Sequence, residues 1–245
     1  ATTDTTKNPA AIGVNTVNDW FIWNDAGTLR LSHGPDWTNS TTRSAGTALV
    51  VVNGVMLNSV AITNGPAAQR GTYVGTTMSN GTSTLDYVFG TVSPGWGAAR
   101  FGIWNAYNRV LVATFLGDTT GSWTYAVANT WRATNGLSSA SISAVRGLDI
   151  DAVQIEYASD CAAGSATIAG CGIGVNSTTA QSGSTGAVNG TSFNGAIPLT
   201  ARYCGLPGIG WNVFTALEWN STTTASTWFG TNSVLICRLH GLVYQ

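Results

Sequence analysis

Residues Arg100–Arg132, RFGIWNAYNRVLVATFLGDTTGSWTYAVANTWR, carry the pattern that decides the fold. They hold Phe101, Trp104, Tyr107, Trp123, Tyr125 and Trp131, and no stretch of similar length is as rich in large rings. The run Arg109 to Leu116 is apolar and rich in Val and Leu. Beyond Gly117-Asp118-Thr119-Thr120-Gly121, Trp123, Tyr125 and Val127 alternate with small or polar residues. A period of two describes a half-buried strand. The expectation is a pair of long antiparallel strands, joined by a short polar loop and carrying the aromatic core.

Composition agrees with an all-β chain. Only 9% of the 245 residues are charged, against the usual quarter or so, and Lys7 is the single lysine. Thr, Ser, Asn and Gly stand where helix-forming Glu and Lys would be. Val, Thr, Trp and Tyr recur between Gly and Asn clusters, as in strands and turns. A net charge of −1 leaves no basic patch for a phosphate backbone, so nucleic acid is not an expected partner. No apolar run is long enough for a membrane span, and insertion in a membrane is not expected. The opening ATTDTTKNPA is polar and has no signal-peptide core.

Along the chain, Ala1 to Asn15 reads as an extended arm. Trp20–Trp23 and Thr28–Leu31 flank Asn24-Asp25-Ala26-Gly27 as a hairpin, and Asn53-Gly54 predicts a second tight one. Gln69 to Thr77 is a strand carrying Tyr73. Gly90 to Ala99, with Pro94 and Trp96, reads as an exposed loop or bulge. Asn176 to Asn194 is Ser/Thr/Gly-rich and reads as a long surface loop. Leu235 to Tyr244 is an apolar C-terminal strand expected inside a sheet. About a dozen to fifteen short strands at this spacing describe a sandwich or barrel. The expected architecture is an all-β, jelly-roll-like β-sandwich over residues 67–245. A smaller β-rich part, residues 1–66, supplies the arm, the hairpins and the attachment region.

Groups able to do chemistry are few. Asp149, Asp151 and Glu156 form the sharpest acidic cluster. Asp149 and Asp151 share a face of an extended segment, as a carboxylate pair or part of a calcium site would. The competing reading is a solvated loop, since no EF-hand spacing is present. Trp96, in its Pro/Gly loop, is the best candidate to stack on a sugar ring, against a plain burial role. His33 and His240 are the two histidines, and neither lies in a nucleophile motif. The Gly172-Ile173-Gly174 and Gly208-Ile209-Gly210 runs lack the rest of a phosphate loop and read as turns or strand crossings. No catalytic residue, cofactor or metal ligand is assigned, and the chain is not expected to be an enzyme. Of the four cysteines, Cys161 and Cys171 are the pair a hairpin could bring together as a disulfide, against buried free thiols. Five Asn-x-Ser/Thr sequons, at Asn39, Asn80, Asn176, Asn189 and Asn220, are about what this composition yields by chance.

Several stretches resemble a family of tailed-bacteriophage and prophage virion surface proteins, of tail-fibre, spike or head-fibre type. They are WFIWNDAGTLRLSHGPDWTNSTTR, VVNGVMLNSV, RGTYVGTT, RFGIWNAYNRV and GLPGIGWNVFTALEW. The matching positions are Arg70, Tyr73, Gly75 and Thr76, then Trp104, Asn105, Tyr107, Asn108 and Arg109. Trp123 and Tyr125 follow, then Leu217, Glu218 and Trp219. The resemblance runs from about Trp20 to the C-terminus, with the cysteines and the Ser/Thr loop as departures. It implies a virion component, assembled in the bacterial cytoplasm. Beside it, burial of strand edges by symmetry predicts a homotrimer, expected to contact other virion proteins and a host surface glycan. Loops Gly90–Ala99 and Asn176–Asn194 would meet the host. The alternatives are a capsid decoration protein without a receptor role, a secreted lectin-like carbohydrate-binding module, and a polysaccharide depolymerase.

Overall fold

Turn chemistry places the first strands. In the computed structural model, which describes residues 11–190 and 195–245, β1 (Val17–Asp25) and β2 (Thr28–His33) form the expected hairpin. Strands β3 (Leu49–Val52) and β4 (Val55–Asn58) form the next one, with Asn53 and Gly54 at φ +50° and +82°. Two successive positive φ values make a type I′ turn, which matches the twist of the strands it joins. Residues 1–10 of the expected arm and 191–194 of the expected surface loop lie outside the described residues.

Strand β5 (Thr72–Met78) lies past the division of the chain expected after residue 66. It pairs with β1 along its length and touches β4, so it sits inside the first sheet, ordered β2-β1-β5-β4-β3. After β6 (Tyr87–Val88), β7 (Val92–Ser93) and β8 (Ala99–Phe101), β9 (Ile103–Asn105) also returns to pair with β5. The N-terminal sheet therefore draws on residues well past 66. Tyr73 and Trp104 complete its core with Val17, Phe21, Trp37 and Ile62.

The aromatic stretch yields its two strands, β10 (Leu111–Asp118) and β11 (Ser122–Tyr125), but they do not pair with each other. Both run antiparallel to the C-terminal chain. Next come β12 (Thr130–Ala133), β13 (Ser141–Arg146), β14 (Val153–Ala162) and β15 (Ile168–Val175). They are followed by β16 (Gly186–Asn189), β17 (Ile197–Gly205), β18 (Gly210–Asn220), β19 (Ser226–Phe229) and β20 (Cys237–Tyr244). Leu111–Gly117 lies along β20 and Ser122–Tyr125 along β19. The polar Gly117–Gly121 segment is thus a kink within one continuing direction rather than a reversal. The buried Asp118 carboxylate accepts hydrogen bonds from Thr120 N (2.8 Å), Gly95 N (3.0 Å) and Asn135 Nδ2 (3.1 Å). It satisfies Thr120 N, a donor that the kink frees from the ladder, and ties the kink to the Gly95 and Asn135 loops.

Two large sheets result. The outer sheet sets β10 and β11 against β20 and β19, then β14, then β17, with β7 parallel to the end of β10. The inner sheet is ordered β16-β15-β18-β13-β8-β6, with β12 also on β18. β16 stands within the stretch read as a loop and pairs with β15. The sheets face each other over one core that includes Phe101, Leu116, Ile142, Tyr157, Phe214 and Trp228. Each such side chain contributes about 1.5–3 kcal/mol on burial.

The fold is an all-β sandwich with a third, smaller sheet. All six residues of β13 are buried, because Ile142 and Ala144 enter the large core while Val145 enters the N-terminal one. A polar network reinforces this seam. Buried Asp19 accepts from Arg43 Nε (2.8 Å) and Nη2 (3.1 Å), from Thr76 Oγ1 (2.6 Å) and from Trp37 Nε1 (3.1 Å). Arg43 Nη2 also donates to Gly147 O at 2.7 Å, just past the end of β13.

Candidate functional site

The residues singled out from the sequence scatter. Trp96 is only 5% exposed and packs against Tyr157, so its ring belongs to the core rather than to a sugar platform. Its loop is pinned by Gly95 N on Asp118 and by Ser139 Oγ on Gly95 O, which turns the indole inward. Asp149 and Asp151 do not form a carboxylate pair. Asp151 pairs with Arg109 at 2.8 Å, whereas Asp149 accepts from Gly208 N (3.3 Å) and lies 3.7 Å from Arg146. They flank the buried Arg146, whose guanidinium is drawn below its usual pKa by burial and pulled back up by both carboxylates.

Cys161 and Cys171 are free and buried. They stand on β14 and β15, in different sheets, because the chain crosses the sandwich between them instead of folding into a hairpin. Burial raises both thiols, Cys171 to about 12, and does the same to Cys237. Cys204 alone of the four is exposed. Among the described residues no group of three or more His, Cys, Asp and Glu side chains is placed to hold a metal ion.

Many of the residues that carry the family resemblance lie inside the protein. Tyr73, Thr76 and Trp104 build the Asp19–Arg43 seam. Trp123 Nε1 and Arg132 Nε both donate to buried Glu218, each at 2.7 Å, and Arg132 lies 4.2 Å over the Tyr125 ring. Burial lifts the Glu218 carboxyl to about 7 against the opposing pull of Trp123 and Arg132.

The clearest open site is on the solvent face of the outer sheet. Register there sets Phe115 opposite His240, His240 opposite Glu156, and Glu156 opposite Arg202. Four strands thus contribute one row, with neighbours about 4.8 Å apart. The next row is Ala113, Leu242, Gln154 and Cys204. Together they line a depression of about 780 Å³. Phe115 is 51% exposed and stacks on His240 with ring centroids 6.1 Å apart. Glu156 accepts from Arg202 Nε at 2.7 Å. Small Ala113 keeps the floor low.

Comparison with protein-family models, curated proteins and solved structures finds no match.

Sequence reasoning notices Glu156 and His240 separately and misses Phe115, Gln154 and Arg202 as their partners. The local signal is the alternation in β10, where Leu111, Ala113 and Phe115 are exposed and Val112, Thr114 and Leu116 are buried. Nothing local points to the cross-strand row, which sets Phe115 beside His240 from the far end of the chain.

A second exposed feature is the edge of the inner sheet. Among the described residues β6 pairs only with β8, and Tyr87, Val88 and Phe89 are 44%, 49% and 52% exposed. The Tyr87 and Phe89 rings lean on buried Phe101 at 5.2 and 5.5 Å.

Proposed function

We propose that the protein is a structural component of a bacteriophage virion, of fibre or spike type, assembled as a homotrimer and displayed where the particle meets its host. The observation that carries this reading is the apolar edge of β6. An exposed strand edge bearing Tyr87 and Val88, with Phe89 just beyond it, invites pairing with another chain. Symmetric self-assembly covers such an edge. The sequence resemblance supplies the virion setting. The use of Asp19, Asp118 and Glu218 to hold strands and kinks suits a protein whose work is mechanical. The N-terminal sheet would contact other virion proteins.

Light scattering on the purified chain, with and without reductant, tests the reading. The expected result is a trimer in both conditions, reduced to a monomer by Val88→Lys. A wild-type monomer in both conditions overturns it.

A further inference from the structure

We propose that the solvent face of the outer sheet binds a neutral glycan through two adjacent hexopyranose units, one seated on Phe115 and the next hydrogen-bonded by Glu156, Arg202 and Gln154. The inference rests on the virion reading for its setting and names the ligand class of the host contact. It places that contact on a sheet face instead of on the loops expected from the sequence.

A pyranose has an apolar C–H face and a rim of hydroxyls that both donate and accept. Phe115 supplies a flat apolar surface whose orientation is steadied by His240 stacked against it at 6.1 Å and 27°. One strand beyond His240, the Glu156 carboxylate offers lone pairs and the Arg202 guanidinium offers several N–H groups, held together at 2.7 Å. Gln154, exposed one row along, adds a donor and an acceptor. The depression, about 780 Å³, lies within the range of about 300–1,000 Å³ typical of small-ligand sites. All these side chains stand on paired strands, so little ordering is required on binding.

Charge selects the ligand. Among the residues lining the depression one carboxylate and one guanidinium neutralise each other, so the site favours an uncharged sugar over a phosphate or an acidic one. The same charges argue against a second copy of this chain as the occupant. Interface centres are depleted of charge, and this face would bury Glu156, Arg202 and His240, whereas the β6 edge presents Tyr87, Val88 and Phe89.

The test uses the purified full chain on an array of neutral gluco-, galacto- and manno-configured oligosaccharides, with hits titrated calorimetrically. Phe115→Ala is expected to weaken binding about tenfold and Glu156→Gln to weaken it as well. Both sites are on the surface, so the far-ultraviolet spectrum and the oligomeric mass should not change. Cys204, on the same face, reports occupancy, and saturating oligosaccharide should slow its alkylation by iodoacetamide. A silent array, binding indifferent to Phe115→Ala, or a Cys204 shielded by a second copy in the free protein would each overturn the site. The mass measurement separates the two proposals. A monomer that binds sugar through Phe115 retains the site and removes the trimeric reading, and a trimer that binds none does the reverse.

Discussion

Trp123 and Glu218, 95 residues apart in the chain, meet through a 2.7 Å hydrogen bond between an indole N–H and a buried carboxylate. The bond ties β11 of the outer sheet to β18 of the inner one and so closes one end of the sandwich. It also puts a titratable group where water cannot reach it.

That burial sets a pH dependence. The Glu218 carboxyl rises from its ordinary 4.5 to about 7 in the folded protein. The native state thus keeps this proton to a higher pH than the unfolded chain does. The contribution is fully present below about pH 4.5 and is lost as pH rises through about 7, a change on the order of 3 kcal/mol. Urea midpoints should fall across that window, and Glu218→Gln should flatten the slope. Asp118 is shifted the opposite way, below 3.8, by hydrogen bonds from Thr120, Asn135 and Gly95 that outweigh burial. Its stabilisation is lost only as pH falls below that value. A slope unchanged in Glu218→Gln would show that another group titrates.

The Asp19–Arg43 seam should be sensitive to removal of one partner. Arg43→Ala leaves a buried carboxylate with two neutral donors, Thr76 and Trp37. The expected cost is about 3–5 kcal/mol, read from chemical denaturation followed by tryptophan fluorescence. A loss below about 1 kcal/mol, the scale of a surface ion pair, would mean the network is effectively solvated.

Gly147 sits where the N-terminal sheet closes on the sandwich. A Cβ there would run into the Tyr73 hydroxyl and Thr76 Oγ1. Gly147→Ala should destabilise by about 1–3 kcal/mol through overpacking. Combining it with Tyr73→Phe should recover part of the loss. Strict additivity in the double mutant would show that the two positions do not interact.

Thiol counting separates the cysteine arrangements. A thiol-reactive disulfide reagent should modify one thiol rapidly in the native protein, Cys204, and four after denaturation without reductant. Finding two after denaturation would establish a disulfide and contradict the separation of Cys161 and Cys171 on different sheets.

Features that depend on near neighbours were legible along the chain. Asn53-Gly54 specified its own turn because the required positive φ values cost Asn and Gly little. Asn24–Gly27 did the same for β1 and β2, and period-two alternation marked most strands together with the all-β class. The tertiary structure decided everything that rests on which strand meets which. Gly117–Gly121 has the composition of a reversing loop, yet the C-terminal chain offers partners on both sides of it, and Asp118 absorbs the kink. β5 belongs to the first sheet because β1, β4 and β9 all reach it across long stretches of chain. Trp96 is buried because Asp118 and Ser139 turn its loop inward. The row Phe115, His240, Glu156 and Arg202 exists only in register, since a shift of one residue would send each strand's side chains to the opposite face.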